Sequence, residues 1–265
     1  MPVTVHAPTR RLSQDDFARV VYEAMGHIFE IHQEFGGYFD EQIYQREIAR
    51  RCSSLNATIE VPIEVKHGGF RKLYFADLLV GDGAIFELKA VDVLNDRHRS
   101  QLLQYLLLAE LTRGKLVNLR PESVQHEFVN TTLCHEDRVA FSVDDCNWDK
   151  SSAPFERFRD AIIFMLRDLG TNLDLGLYVE ILTHMLGGES AVSKQIEIRT
   201  GDLLVGTHLV RIATPGFSFH VTAARDDALA RVERHLRRFL SHTPLDGTHW
   251  VNIRQRCVTF RTLYR

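Results

Sequence analysis

Residues 72–91, KLYFADLLVGDGAIFELKAV, are the most informative segment for the fold of the first half of the chain. Two segments rich in apolar and β-favouring residues flank the tripeptide Gly81-Asp82-Gly83, which is a tight-turn sequence. We therefore predict two neighbouring strands joined by this turn. Residues two apart on a strand share a face, so Glu87 and Lys89 project together, and pairing of the two strands brings Asp77 beside them.

Around this hairpin, the apolar residues follow the helical period of about 3.6 residues before and after the strands. A first helix is predicted between the cap Ser13-x-x-Asp16 and the stop Gly36-Gly37. Two further helices are predicted at 40–51 and 96–112, and the strands are predicted at 59–66, 72–80, 84–91, 115–119 and 122–130. This order predicts a mixed α/β sheet flanked by helices.

The composition is typical of an ordinary globular protein, with 265 residues, 45% apolar content and a net charge of −3. No run of about 18 apolar residues predicts a membrane-spanning helix, and residues 1–16 lack the apolar core of a secretory signal. The four cysteines form no C-x-x-C pair, which is typical of reduced thiols. We therefore expect a cytoplasmic protein that does not bind membranes.

The second half of the chain repeats the first at an offset of about 134 residues. Tyr44 corresponds to Tyr178, and VNLR (117–120) corresponds to VNIR (251–254). The matching order favours an internal duplication. The alternative is that two mixed α/β domains share a pattern by chance.

We accordingly predict two tandem domains, residues 1–133 and 155–265, joined by a polar linker at 134–154. Residues 1–149 carry 16 basic and 23 acidic side chains, whereas residues 150–265 carry 16 basic and 12 acidic ones. An acidic half beside a basic half indicates that the two domains have different roles.

The Asp77-x9-Glu87-x-Lys89 pattern is the strongest chemical signal in the sequence. Two carboxylates and an ammonium group on one face form a site for a hard divalent cation and an adjacent water. The alternative is the solvent-exposed face of a half-buried hairpin, which also alternates charged and apolar residues. On spacing alone, both interpretations stay open.

Two helices bring further polar residues toward this pattern. Gln101, Gln104 and Tyr105 share one face of the third predicted helix, because they are three and four residues apart. Glu41 and Tyr44 share one face of the second predicted helix, where Glu41 adds a carboxylate.

The first half resembles the GxxExxY family, a group of small proteins in the PD-(D/E)xK nuclease superfamily. The segment EIHQEFGGYFDEQIY (30–44) is similar to the family's E-V-H-x-x-L-G-P-G-x-x-E-x-x-Y stretch, and ADLLV, ELKAV and HRSQLLQYL resemble its core strands and following helix. Tyr38 and Gly37 depart from the family's Gly and Pro, so the loop before Glu41 differs from the family pattern. Ala76 stands where the superfamily motif has proline.

This resemblance implies roles for individual residues. It implies that Asp77, Glu87 and the carbonyl of Leu88 hold Mg²⁺ or Mn²⁺, with Glu41 completing the metal shell. It implies that Lys89 acts on the attacking water and that Gln101 orients the water or a phosphate. His32 and Tyr44 fall on matching positions of the family stretch and are further candidates to line the site. His98 and Tyr105 are candidates by helical spacing, since they lie three residues before and four residues after Gln101. For His32, a structural role at the helix end is the alternative.

The second half lacks every proposed ligand. Asp77, Glu87 and Lys89 correspond to Arg211, His220 and Thr222, while the apolar pattern is kept. We therefore predict two tandem restriction-endonuclease-like domains, the second of them degenerate and unable to bind Mg²⁺ at the equivalent place.

The last predicted helix, about 226–240, carries a cluster of basic residues. The cluster consists of Arg231, Arg234, His235, Arg237 and Arg238. Such a surface is suited to contacts with a phosphate backbone. A solvated helix face paired with Glu233 is the alternative, and packing against the first copy or in a homodimer is a third option.

Together these features predict a Mg²⁺-dependent nuclease acting on nucleic acid, with DNA favoured over RNA. The alternative is a non-catalytic nucleic-acid-binding or scaffold protein that retains the nuclease fold.

Overall fold

Each half of the chain forms its own six-stranded mixed sheet flanked by helices. The computed structural model describes residues 2–265, and the chain divides into two units between His135 and Glu136. None of the helices in the described residues is long and apolar enough to cross a membrane.

The first unit contains a sheet in the sequential order β1-β2-β3-β4-β5-β6, in which only β4 and β5 are parallel. Its strands are β1 (Val3–Val5), β2 (Thr58–His67), β3 (Phe70–Val80), β4 (Ala84–Lys89), β5 (Arg113–Asn118) and β6 (Gln125–Asn130). Its helices are α1 (Gln14–Phe35), α2 (Glu41–Arg51) and α3 (Asp96–Leu108), with a 3-10 turn at Ser53–Leu55.

The two faces of this sheet carry different helices. Helices α1 and α2 share one apolar core with the β4 residues Phe86 and Leu88. Because side chains alternate along a strand, Glu87 and Lys89 point to the opposite face. On that face Leu102 of α3 packs against Gly114 of β5. The sequence pattern of β4 therefore separates the core from the polar cluster.

The predicted ends of the first helix are confirmed. The Ser13 side chain accepts a hydrogen bond from the backbone N–H of Asp16, and the Gly36 N–H donates to the carbonyl of His32. The third helix is shorter than predicted, because it ends at Leu108 and Glu110 adopts a left-handed backbone with φ of 56°. An apolar period alone does not show this break.

The second unit contains a sheet in the order β7-β12-β11-β10-β9-β8. Its strands are β7 (Ser142–Asn147), β8 (Ser193–Thr200), β9 (Leu203–Thr214), β10 (Phe217–Thr222), β11 (Gly247–Ile253) and β12 (Cys257–Tyr264). Its helices are α4 (His135–Val139), α5 (Ala153–Leu169), α6 (Leu175–Met185), α7 (Glu189–Val192) and α8 (Asp226–Ser241), of which α4 begins at the boundary of the units.

The segment 134–154 is not the polar linker that we expected. It contains α4 and β7, and β7 pairs in parallel with β12 in the second sheet. Phe141 and Trp148 are both buried. These two aromatic side chains hold the segment against its unit, and the many polar residues around them conceal this in the composition.

Both units share one order of elements after their first strand. In each, two long helices and one short helical turn precede an antiparallel three-stranded meander; the short turn is Ser53–Leu55 in the first unit and α7 in the second. A helix then connects to a parallel strand and a last antiparallel one. The first strand of each unit lies outside this shared order and is added at a different edge of its sheet. β1 pairs with β2, whereas β7 pairs with β12.

Two buried hydrogen-bond patterns recur at the predicted offset. The Tyr44 hydroxyl donates to the carbonyl of Gly36 at 2.6 Å, and the Tyr178 hydroxyl donates to that of Gly170 at 2.6 Å. The Asn118 side chain bonds to the backbone N–H and carbonyl of Val91, just before α3, and the Asn252 side chain bonds to those of Ala224, just before α8.

Candidate active site

Asp77, Glu87 and Lys89 converge on the α3 face of the first sheet. Asp77 lies on β3, and the backbone N–H of Leu88 donates to its Oδ2 at 2.8 Å. Glu87 and Lys89 lie on β4. This register follows from the tight turn between the strands, where Asp82 has a positive φ of 62°.

The ammonium group of Lys89 lies at the centre of this cluster. Its Nζ donates to Glu87 Oε1 at 2.6 Å and to the carbonyl of Leu88 at 2.7 Å. It also lies 3.5 Å from Asp77 Oδ2 and 3.7 Å from Glu41 Oε1. Lys89 therefore contacts oxygen atoms of every residue to which the resemblance assigns the metal.

Three carboxyl groups surround a single ammonium group in the cluster. Glu87 is fully buried, and its Oε2 has no hydrogen-bond partner. Burial and the neighbouring Asp77 raise the pKa of Glu87 to about 8, and burial also raises the pKa of Asp77. Burial alone disfavours the charged form of Lys89, but Glu87, Asp77 and Glu41 outweigh it and raise the pKa of Lys89. The cluster thus has the charge balance of a cation-binding site.

Helix α2 supplies Glu41, together with one residue that sequence reasoning missed. Burial raises the pKa of Glu41, whose carboxylate is the third near Lys89. Gln45 is buried, and its Nε2 donates to the backbone carbonyl of Asp77 at 2.7 Å and to Glu60 Oε1 at 2.6 Å. Gln45 follows Glu41 by four residues, so a helical face was the available signal. It positions the strand that carries Asp77.

Helix α3 places its polar residues on the same side. Gln101 Nε2 donates to the Tyr105 hydroxyl at 3.0 Å. Burial and the charge of Glu87 raise the pKa of Tyr105 to about 12, so the hydroxyl stays protonated beside the cluster. His98 accepts a hydrogen bond from the Asn95 N–H in the helix cap, and burial and Lys89 lower its pKa.

His32 and Tyr44, which we also expected near the site, form hydrogen bonds to loop backbone atoms. His32 is buried, and its Nε2 lies 3.0 Å from the carbonyl of Pro121. The Tyr44 hydroxyl also accepts a hydrogen bond from the Phe39 N–H, besides donating to Gly36. Tyr44 therefore fixes the turn between α1 and α2, whereas His32 ties the end of α1 to the loop between β5 and β6.

The donor set fits a hard divalent cation only in part. Within residues 2–265, no group of three or more His, Cys, Asp and Glu side chains lies close enough together to hold a metal ion. Asp77, Glu87 and the Leu88 carbonyl supply oxygens, which are the ligands that Mg²⁺ prefers, and Mg²⁺ usually keeps several waters. Two observations indicate that a positive charge is favoured here. Glu87 Oε2 has no hydrogen-bond partner, and the Lys89 ammonium donates to Glu87 Oε1 and to the Leu88 carbonyl.

The corresponding face of the second unit has no such cluster. His220 packs edge-on against Phe239, and burial lowers its pKa to about 4. The Thr222 hydroxyl donates to Asn252 and accepts from the buried Trp250. Arg211 is exposed and pairs with Glu189 at 3.6 Å. This face is therefore neutral and filled by an aromatic ring.

Four exposed arginines form a basic surface on α8, namely Arg231, Arg234, Arg237 and Arg238. Arg237 pairs with Glu233 at 2.8 Å. Within residues 2–265 the other three have no ion pair. This surface thus keeps most of its positive charge available to a ligand.

Comparisons with known proteins agree with this geometry where they apply. No curated protein matches the chain. Three chains of solved structures match, and one is the crystal structure of SSO0001, at 21% identity over 41% of this chain and with a TM-score of 0.26. The chain spans 63% of the length of SSO0001. Residues 18–130, which include the whole Asp77–Glu87–Lys89 cluster, match the family model of the PD-(D/E)XK nuclease superfamily.

Proposed function

We propose that the first unit is a metal-dependent nuclease that hydrolyses phosphodiester bonds, with Mg²⁺ or Mn²⁺ as its cation and DNA favoured over RNA. The observation that carries the proposal is the position of the Lys89 ammonium among the oxygens of Asp77, Glu87 and Leu88, in a buried cluster with more carboxyl groups than ammonium groups. The match over residues 18–130 supports it.

Each residue of the cluster has a proposed part in this activity. When bound, the divalent cation activates a water and stabilises negative charge on the phosphate. Asp77, Glu87 and the Leu88 carbonyl would hold it, with Glu41 at the margin. Lys89 holds the carboxylates together and supplies a positive charge for the phosphate. Gln45 positions Asp77 through its backbone carbonyl.

We further assign the first unit to the GxxExxY group within the superfamily, and we propose a cytoplasmic location. The second unit is proposed to be a degenerate copy, because the recurring Tyr and Asn bonds support common descent while its matching face has no carboxylates. Its basic α8 surface is proposed to contact the phosphate backbone.

Cleavage of a supercoiled plasmid and of labelled DNA and RNA oligonucleotides by the full chain tests the proposal. We expect cleavage with Mg²⁺ or Mn²⁺ and none with EDTA. Asp77→Asn should abolish it, whereas Asp82→Asn, the same change in the adjoining turn, should not. Cleavage that persists in Asp77→Asn would refute the assignment. Binding without any cleavage would favour the non-catalytic alternative.

A further inference from the structure

A groove of about 610 Å³ lies between α1 and the outer strand β6, on the sheet face opposite to the catalytic cluster. Its aromatic side chains are Phe17, Phe29 and Phe128, and its basic side chains are Arg113 and Lys115, beside which lies His126, whose pKa is lowered by burial and by Lys115. Phe128 is 56% exposed, and Phe29 is also exposed. The groove is therefore open, aromatic and positively charged.

Lys115 is the unusual residue of this groove. Its side chain is only 2% exposed, and burial lowers its pKa. Its Nζ lies 3.5 Å from the centroid of the Phe128 ring, and no carboxylate of the described residues pairs with it. A buried cation without an anion is costly, so this position favours an anion from outside the unit.

The second unit shows what covers the equivalent position. Strand pairing places Lys115 opposite Phe128 and Val117 opposite His126, and the same register places His249 opposite Thr262 and Val251 opposite Phe260. Lys115 and His126 therefore correspond to His249 and Phe260.

Over these two residues lies Trp148, which directly follows β7. The Trp148 ring is 4.6 Å from the His249 ring and 5.7 Å from the Phe260 ring, measured between centroids. Asp145 of β7 bonds to Arg159 of α5 at 2.8 Å. In the second unit, the groove is thus closed by the parallel edge strand β7, by the inserted ring of Trp148 and by the carboxylate of Asp145.

In the first unit the same edge has no added strand, because β6 ends the sheet of the described residues. We infer that this groove binds an extended segment of a partner protein, which adds in parallel to β6 as β7 adds to β12. Its aromatic side chain enters between α1 and His126, and its carboxylate pairs with Lys115. Main-chain hydrogen bonds provide affinity in such strand addition, and side-chain pockets provide specificity.

The strand that performs this role in the second unit supplies the probe. A fluorescent, end-capped peptide of residues 141–149, with serine in place of Cys146, is titrated against the full chain and followed by anisotropy. We expect saturable binding, at least about tenfold weaker for the peptide carrying Trp148→Ala, because buried tryptophans dominate such interfaces. Hydrogen exchange should show protection of the β6 amides.

Protein variants test the location of the binding. Lys115→Met and Phe128→Ser should each weaken binding of the peptide by about tenfold or more. Phe75→Ser is the matched control, because Phe75 is a similarly exposed phenylalanine on β3 of the same sheet, and it should leave binding unchanged. Circular dichroism of each variant checks folding.

Three results would overturn the inference. The first is no binding at about 1 mM peptide, the weakest affinity that we count as recognition. The second is binding that Lys115→Met and Phe128→Ser leave unchanged. The third is a dimer that Phe128→Glu dissociates, since a second copy of the chain would then be the occupant. None of these results depends on nuclease activity.

Discussion

Replacing Lys89 by methionine removes the cation that lies among the buried oxygens of the cluster. Its Nζ is 2.6 Å from Glu87 Oε1 and 3.5 Å from Asp77 Oδ2, and Glu87 is fully buried. Removing one partner of a buried ion pair costs about 3–5 kcal/mol, because the other charge stays buried without compensation. Since protonation of a carboxylate relieves part of this cost, we expect the lower end, about 3 kcal/mol of unfolding free energy.

The matched control is Lys66→Met. Lys66 also pairs with a glutamate, Glu64, at 2.9 Å, but its own side chain is 58% exposed. Glu64 is buried but keeps Arg71 and His6 as partners, so this variant should lose no more than the roughly 0–1 kcal/mol of an exposed pair. Both variants are unfolded in urea with EDTA and followed by far-UV circular dichroism, with hydrogen exchange of β4 peptides reporting on the first unit.

A metal titration completes this test. Without its ammonium, the cluster offers the same oxygens to a divalent cation, so Mg²⁺ should stabilise Lys89→Met more than the wild type. At a Mg²⁺ concentration one hundred times its dissociation constant, binding adds about 2.7 kcal/mol to the free energy of unfolding. The reasoning is refuted if, in EDTA, Lys89→Met unfolds within about 1 kcal/mol of Lys66→Met, the most that an exposed pair contributes.

Three further predictions concern the second unit and the repeat. Burial lowers the pKa of His249 from 6.5 to about 3, so the unfolded state takes up a proton first as the pH falls. His249 alone should lower the stability by about 1.4 kcal/mol for each unit that the pH falls between 6.5 and 3, and His249→Phe should reduce the slope by this amount in urea titrations followed by tryptophan fluorescence. Tyr44→Phe and Tyr178→Phe should each cost about 1–2 kcal/mol in chemical unfolding, because each leaves a buried carbonyl and a loop N–H without their partner. Arg234→Gln and Arg238→Gln should each reduce the slope of log affinity for DNA against log salt by about 0.9, and an unchanged slope would place the contacts elsewhere.

The secondary structure of the first unit is largely predictable because its stop signals are local. Ser13 and Gly36 act within a few residues, and so does the turn at 81–83. The segment 134–154 is mispredicted because its structure depends on pairing with a strand more than a hundred residues later. The segment is polar in composition, but the burial of Phe141 and Trp148 fixes it to the second unit.

The candidate site likewise combines features that local sequence predicts with contacts that depend on distant residues. Strand alternation predicts that Glu87 and Lys89 share a face, which needs only two residues of sequence. The bond from Gln45 to the Asp77 carbonyl spans 32 residues, and the packing of Tyr105 beside Glu87 depends on how α3 crosses the sheet. Periodicity gives the face of each helix but not which strand residue it meets, so these contacts require the structure.

The cost of the polar cluster itself argues for its function. Buried tyrosine and asparagine bonds are kept in both units, and such bonds stabilise any copy of the fold because the backbone groups need partners. Three carboxylates around one lysine have the opposite effect, since Glu87 is buried with an unpartnered oxygen. Trp250 and the neutral Thr222 show that this architecture is also formed without the charges. A costly cluster that the fold does not need is retained where activity compensates for it, which favours chemistry in the first unit and its loss in the second.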